Sequence, residues 1–227
     1  MMIKQLLKII ILTNCIFLVV LLNNSKAQNA DSCKSHIKHS RSALYTYQLT
    51  KNPDVLKKAL AEVDQAMECP LTIKAAVTQK VGLLNLLKEY KTGYIFISTL
   101  DEADFWHPYE KDMDYNYFKG MEYETKGDII SRDRYLIKAR EAIQKYIDKE
   151  SATSNKLDAV AYSELLFMMK AMGDKNGMES KITTLKKSYP NDTTYLKGLE
   201  DTFINNNVHT SYAQPQIINK TPSGPAK

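Results

Sequence analysis

Apolar residues recur three and four positions apart along most of this chain, the spacing of one face of an α-helix. Leu56, Ala59, Val63 and Ala66 form a clear stripe, with Asn52 as a natural cap and Pro53 as a natural first-turn residue. Val77, Val81, Leu84 and Leu87 stripe a segment running to Tyr90, and Phe96, Leu100 and Ala103 stripe residues 93–104. Tyr94 to Ile97 is a continuous apolar run that local propensity alone would allow as a strand; its neighbours make it helix. Pro108 breaks the pattern. Tyr117, Phe118 and Met121 then mark a helix over 113–126, and Gly127-Asp128 marks a turn. Leu136, Ala139, Ile143 and Tyr146 stripe 133–149, followed by a polar loop from Ser151 to Asn155. Ala161, Leu165, Met168 and Met172 stripe 158–172, and Gly173-Asp174 turns the chain again. Met178, Ile182 and Leu185 lead to Tyr189-Pro190, and Leu196, Leu199 and Phe203 mark a last helix over 192–204. With eight Gly and seven Pro in 227 residues, the chain has few turn residues for an all-β fold. The expectation is all-α.

The two ends read differently. Lys4 and Lys8 precede an almost wholly apolar run from Ile9 to Leu22, and Ser25-x-Ala27 gives a small-residue exit. This is the pattern of a secretory signal peptide over 1–27, with cleavage before Gln28 or, alternatively, after Ala30. The apolar run is shorter than the roughly 20 residues needed to span a bilayer as a helix. An uncleaved anchor is the competing reading. Cys15 lies inside the run, which argues against lipid attachment. Removing Lys4, Lys8 and Lys26, with no acid among them, takes the formal net charge from +5 to +2. A mature chain so nearly neutral lacks the concentrated basic face that nucleic-acid binding wants. Residues 205–227, rich in Asn, Thr, Ser, Pro and Gln, have little to bury and read as a disordered tail. One helical domain over 28–204 remains.

Two cysteines survive cleavage, Cys33 and Cys69. If 35–49 and 53–68 form an antiparallel hairpin turned at Lys51-Asn52-Pro53, the two thiols fall at the same end. In an oxidising compartment they make a disulfide candidate, against the alternative of two free thiols. Cys33, His36 and His39 follow at steps of three. His36 and His39 can share a face, but Cys33 is turned roughly 120° from His39 at 3.6 residues per turn. A zinc site would need Cys69 as its fourth ligand and would compete with the disulfide. A solvated helix start is the simpler reading.

Breaks are spaced in whole helix pairs: 38 residues from Pro70 to Pro108 and 82 from Pro108 to Pro190. The stretch ending at Pro190 places Tyr162, Leu165, Met169, Gly173, Ile182 and Pro190 at positions that resemble a tetratricopeptide repeat, a helix pair of roughly 34 residues. Leu166 and Met178 depart from the pattern, where small residues are usual. Ala59-x3-Val63 and Ala139-x3-Ile143 resemble the family's second helix, and Gly120-x2-Tyr123 part of its first. The resemblance covers residues 33–190 with no complete unit. It implies antiparallel helix pairs stacked as a short α-solenoid with a terminal capping helix, and a concave groove that holds a peptide or partner protein.

Catalytic signatures are missing from the sequence. It has no His-Glu-x-x-His, no glycine-rich phosphate loop and no Gly-x-Ser-x-Gly. Asp112 and Asp114 lack the longer alternation and central glycine of a calcium loop. The most distinctive stretch runs from Phe105 to Tyr123 and holds the only Trp, interleaved with acids. It reads either as the core of a long turn or as a binding surface, in which case Trp106, Tyr109 and Tyr115 are the candidates. The functional expectation is a non-enzymatic protein- or peptide-binding scaffold of the periplasm or cell surface. It needs no cofactor or metal, has no nucleic-acid partner, and is not stably inserted in a membrane after signal cleavage. A glycan-binding accessory protein using the aromatic surface is the alternative.

Overall fold

The computed structural model describes residues 31–152 and 156–205, and every regular element among them is a helix. The expected signal segment 1–27 and the tail beyond Asn205 lie outside the described residues. The chain divides into two compact units, Met1–Leu83 and Leu84–Lys227.

The first unit contains α1 (31–50), α2 (Pro53–Met67) and most of α3 (Ile73–Leu86). Asn52 caps α2 by accepting the Asp54 N–H at 3.0 Å, with Pro53 in the first turn, as the sequence suggests. The preceding Lys51 takes φ 55, a left-handed conformation that glycine adopts more cheaply. The α2 stripe is buried as expected: Leu56, Ala59, Val63 and Ala66 are at most 1% exposed. Cys33, Ile37, Ser40 and Leu44 form the facing stripe of α1. The two helices run antiparallel, and the Cys33 and Cys69 sulfurs are at bonding distance with a Cα–Cα separation of 6.3 Å. Lys80 on α3 reaches Asp64 on α2 at 2.6 Å.

The second unit contains the end of α3, then α4 (Tyr90–Ser98), a 3-10 turn (Glu102–Asp104), α5 (Glu110–Thr125), α6 (Ile129–Ser151), α7 (Ala159–Ala171), α8 (Lys175–Ser188) and α9 (Thr193–Phe203). From α4 to α9, every helix packs on the next in sequence, α6 on α7 included although three residues between them lie outside the description; α9 also packs back on α7. Two of these contacts rest on glycine. A Cβ on Gly93 would overlap the Phe118 ring, so α4 meets α5 only because that position has no side chain. Gly120 lies against Leu136, where a Cβ would stand 3.1 Å from Cδ2, and this sets the approach of α5 to α6. Phe118 and Leu136 are fully buried. The turns repeat one device. Gly127 and Gly173 take φ +74 and +73, and the aspartate after each caps the next helix: Asp128 accepts from Ser131 N–H and Asp174 from Gly177 N–H.

Several boundaries differ from expectation: the helices expected from 113 and 133 begin at Glu110 and Ile129, and three ends move. The segment expected to run to Tyr90 ends at Leu86, because Lys88 turns left-handed at φ 58 and α4 starts at Tyr90. Its buried residues are Ala76, Val77, Gln79, Leu83 and Leu84. The helix expected over 93–104 stops at Ser98. Ser98 and Thr99 hydroxyls bond back to the carbonyls of Ile95 and Phe96, and Asp101 opens the separate 3-10 turn. Ala103 is exposed there. The helix expected to end at 149 continues through Ser151, taking the first residue of the expected loop.

Candidate functional site

Two polar assemblies stand out in the second unit. The first grows from the turn after Pro108. Glu110 is the first residue of α5 and only 8% exposed, yet both its oxygens are engaged: His107 Nδ1–H donates to Oε1 at 2.7 Å and the Trp106 backbone N–H to Oε2 at 2.9 Å. A carboxylate in the first turn also suits the helix dipole. Tyr109 is buried, stacks on His107 with ring centroids 5.3 Å apart, and donates its hydroxyl to Glu164 Oε2 on α7 at 2.6 Å. Tyr146 on α6 closes the ring cluster, 4.7 Å from Tyr109 and 5.9 Å from His107. Asp158 divides its work: Oδ1 caps α7, while Oδ2 accepts the Tyr146 hydroxyl at 3.1 Å and lies 4.0 Å from His107 Nε2.

Burial governs the electrostatics of this assembly. Desolvation, followed by the charge of Glu110, pushes the Glu164 carboxyl up to about 8, so it is protonated at neutral pH. Desolvation also raises Asp114 well above the ordinary carboxylate range, with Glu164 and Glu110 adding to it. The hydrogen bond to Glu110 raises His107 against the opposing effect of burial. Tyr146 rises to about 12, mainly through burial. The His107 ring therefore faces a carboxylate from each nitrogen, and no serine, threonine or cysteine among the described residues hydrogen-bonds it. The geometry holds charge in place and joins the start of α5 to α6 and α7.

The second assembly spans α4, α5 and α6. The Lys119 ammonium lies 4.4 Å from the Tyr94 ring centroid, 5.7 Å from Tyr115 and 6.0 Å from Tyr135. Tyr94 and Tyr115 meet edge to face at 6.0 Å, and Tyr123 stacks on Tyr135 at 5.5 Å, 9° from parallel. Lys138 lies over Tyr135 at 5.3 Å and Lys126 over Tyr123 at 5.4 Å. The four tyrosines and Lys119 are half-buried; Lys126 and Lys138 are exposed.

The three residues singled out by sequence part company. Trp106 is 52% exposed, Tyr109 is 4% exposed inside the first assembly, and Tyr115 belongs to the second. Sequence reasoning passed over Glu164, although it is the one acid in the otherwise apolar α7 and carried that signal. It also passed over Tyr94, Lys119 and Tyr135, whose meeting depends on three helices. In the first unit, His36 and His39 converge on Glu62 at 2.7 and 3.6 Å, while the Cys33 sulfur turns to Cys69. No group of three or more His, Cys, Asp and Glu side chains among the described residues is placed to hold a metal ion. No described helix is long and apolar enough to cross a membrane. No protein-family model, curated protein or solved structure matches this chain.

Proposed function

We propose that this chain is an exported, non-enzymatic binding module that holds a protein or peptide partner in the periplasm or at the cell surface. The tyrosine–lysine face across α4, α5 and α6 carries this reading. Four partly open phenols supply the tyrosine area that dominates contact energy at interfaces, and three lysines add donors around it. The tetratricopeptide-like architecture, helix pairs stacked as a short solenoid with α9 as its cap, is part of the same proposal. It draws support from the glycine-against-large contacts at Gly93–Phe118 and Gly120–Leu136 and from the succession of packed neighbours. Export draws support from the leader pattern and from a cysteine pair at disulfide distance.

The glycan alternative is weakened by the lysines. Sugar rings need free aromatic faces, and each of the four tyrosines already has an ammonium over it. A hydrolase is favoured by one observation, the Glu164 carboxyl that stays protonated beside Glu110. Affinity capture of the protein from its native envelope tests the leading reading. A reproducible protein partner lost on Tyr94→Ala or Tyr135→Ala supports it. Retention of glycan alone, or turnover of a peptide or glycoside that disappears in Glu164→Gln, replaces it.

A further inference from the structure

The tyrosine–lysine face has a definite chemical sign. Lys119 sits among three rings from three helices, and no carboxylate among the described residues comes within ion-pair distance of it, of Lys138 or of the exposed Arg134 one turn before Lys138; Glu122 acts on Lys119 and Asp128 on Arg134 only from farther off. The carboxylate on this side of α5, Glu122, is engaged by Lys126 at 2.8 Å, takes the Tyr94 hydroxyl and also lends its charge to Lys119. Arg132 likewise engages Asp133 at 2.6 Å and Glu124 at 3.3 Å. What remains for an incoming molecule is a set of ammonium, guanidinium and phenol donors around ring faces that the lysines already cover. Such a surface rewards hydrogen-bond acceptors with negative charge.

We propose that this face takes an acidic polypeptide segment of the partner. Its Asp and Glu side chains would lie against Lys119, Lys138 and Arg134, flanked by the hydroxyls of Tyr115 and Tyr135. The proposal rests on the binding-module reading and names the partner's chemistry. Residues 1–30 and 206–227 of the chain do not supply such a segment: they hold Lys4, Lys8, Lys26, Lys220 and Lys227 and no acid.

The test is fluorescence anisotropy of the purified protein with labelled poly-L-glutamate, with poly-L-lysine and polygalacturonate as competing chemistries. Poly-L-glutamate is expected to bind, and added salt to weaken it. The exposed-site substitutions Lys138→Glu and Arg134→Glu together are expected to cost about tenfold in affinity, and Lys119→Gln a similar factor. Circular dichroism checks that each variant folds, and the two exposed sites keep the test valid if Lys119→Gln does not. Lys187→Glu, a charge reversal at an exposed position of α8, is expected to change little. Equal weakening by Lys187→Glu overturns the proposal, as does unchanged binding in the Lys138/Arg134 variant, preference for poly-L-lysine, or binding of polygalacturonate alone. The captured natural partner separates this inference from the reading beneath it. If the partner depends on Tyr94 and Tyr135 but ignores the charge reversals, acidity fails and the module stands; if it ignores both sets, both fail.

Discussion

Each unit places a histidine Nδ1 2.7 Å from a glutamate, and the two pairs do opposite things. His36–Glu62 lies at the surface of the α1–α2 hairpin, where the hydrogen bond from His36, with His39 nearby, holds the Glu62 carboxyl below its ordinary value. His107–Glu110 lies in a desolvated cluster that also contains Glu164, Asp114 and Asp158, and there His107, Glu164 and Asp114 are all raised. One bond length has two consequences, because water screens the first pair, whereas in the second several carboxyl groups crowd one imidazole out of water. The units also differ in how they are held. The first brings Cys33 and Cys69 to disulfide distance; the second relies on helices that interlock through missing side chains at Gly93 and Gly120.

The largest expected effects break each unit by its own device. Cys69→Ser removes a closure spanning 36 residues and should cost about 3 kcal/mol in the first unit. Hydrogen exchange should register the loss in α1 and α2, while the fluorescence of Trp106, the only Trp, stays unchanged. Gly93→Val drives a branched side chain into the Phe118 ring and should cost about 3 kcal/mol in the second unit, read by chemical denaturation through Trp106.

Next in size is a difference in pH response. Glu62 is held low, so its contribution is present above about pH 4.5 and is lost as pH falls through its depressed value. Glu164 is held high. Its protonated form favours the fold most below 4.5, and that advantage declines as pH rises towards 8. His107, raised above 6.5, loses its contribution in the same direction as pH climbs through its folded value. The second unit should therefore weaken on going from pH 5.5 to 8.5. Glu164→Gln, which can still accept the Tyr109 hydroxyl, should flatten that slope by about 1–2 kcal/mol. Denaturation midpoints followed through Trp106 across this range check the sign; a slope unchanged in Glu164→Gln would refute this assignment. The smallest effect belongs to the hairpin turn. Lys51→Gly relieves the left-handed residue before Asn52 and should stabilise the first unit by about 0.5–1 kcal/mol, read as a small rise in melting temperature.

Much of the helical layout was legible because its signals are local. Asn52-Pro53, Gly127-Asp128 and Gly173-Asp174 each combine a cap with a conformational constraint, and each turns the chain where expected. The break at Lys88 was not legible, since neither glycine nor proline marks it. Residues 99–104 misled for a related reason: Leu, Asp, Glu and Ala there suit a helix, yet side-chain oxygens from Ser98, Thr99 and Asp104 satisfy the backbone differently. The assemblies were harder still. Tyr109 and Glu164 are 55 residues apart, and only the fold converts an aromatic turn and a lone acid on an apolar helix into one hydrogen bond. Tyr115 was legible as an aromatic in a distinctive stretch, but its association with Tyr94 and Lys119 depends on the glycine that lets α4 approach α5.

The division of labour between the two assemblies is tested most directly by hydrogen–deuterium exchange with and without the captured partner. Protection should fall on 94–98, 115–123 and 134–138, leaving 106–110 and 158–164 unchanged. Protection centred on His107 and Glu164, with none over Tyr94, Tyr115 and Tyr135, would contradict the account.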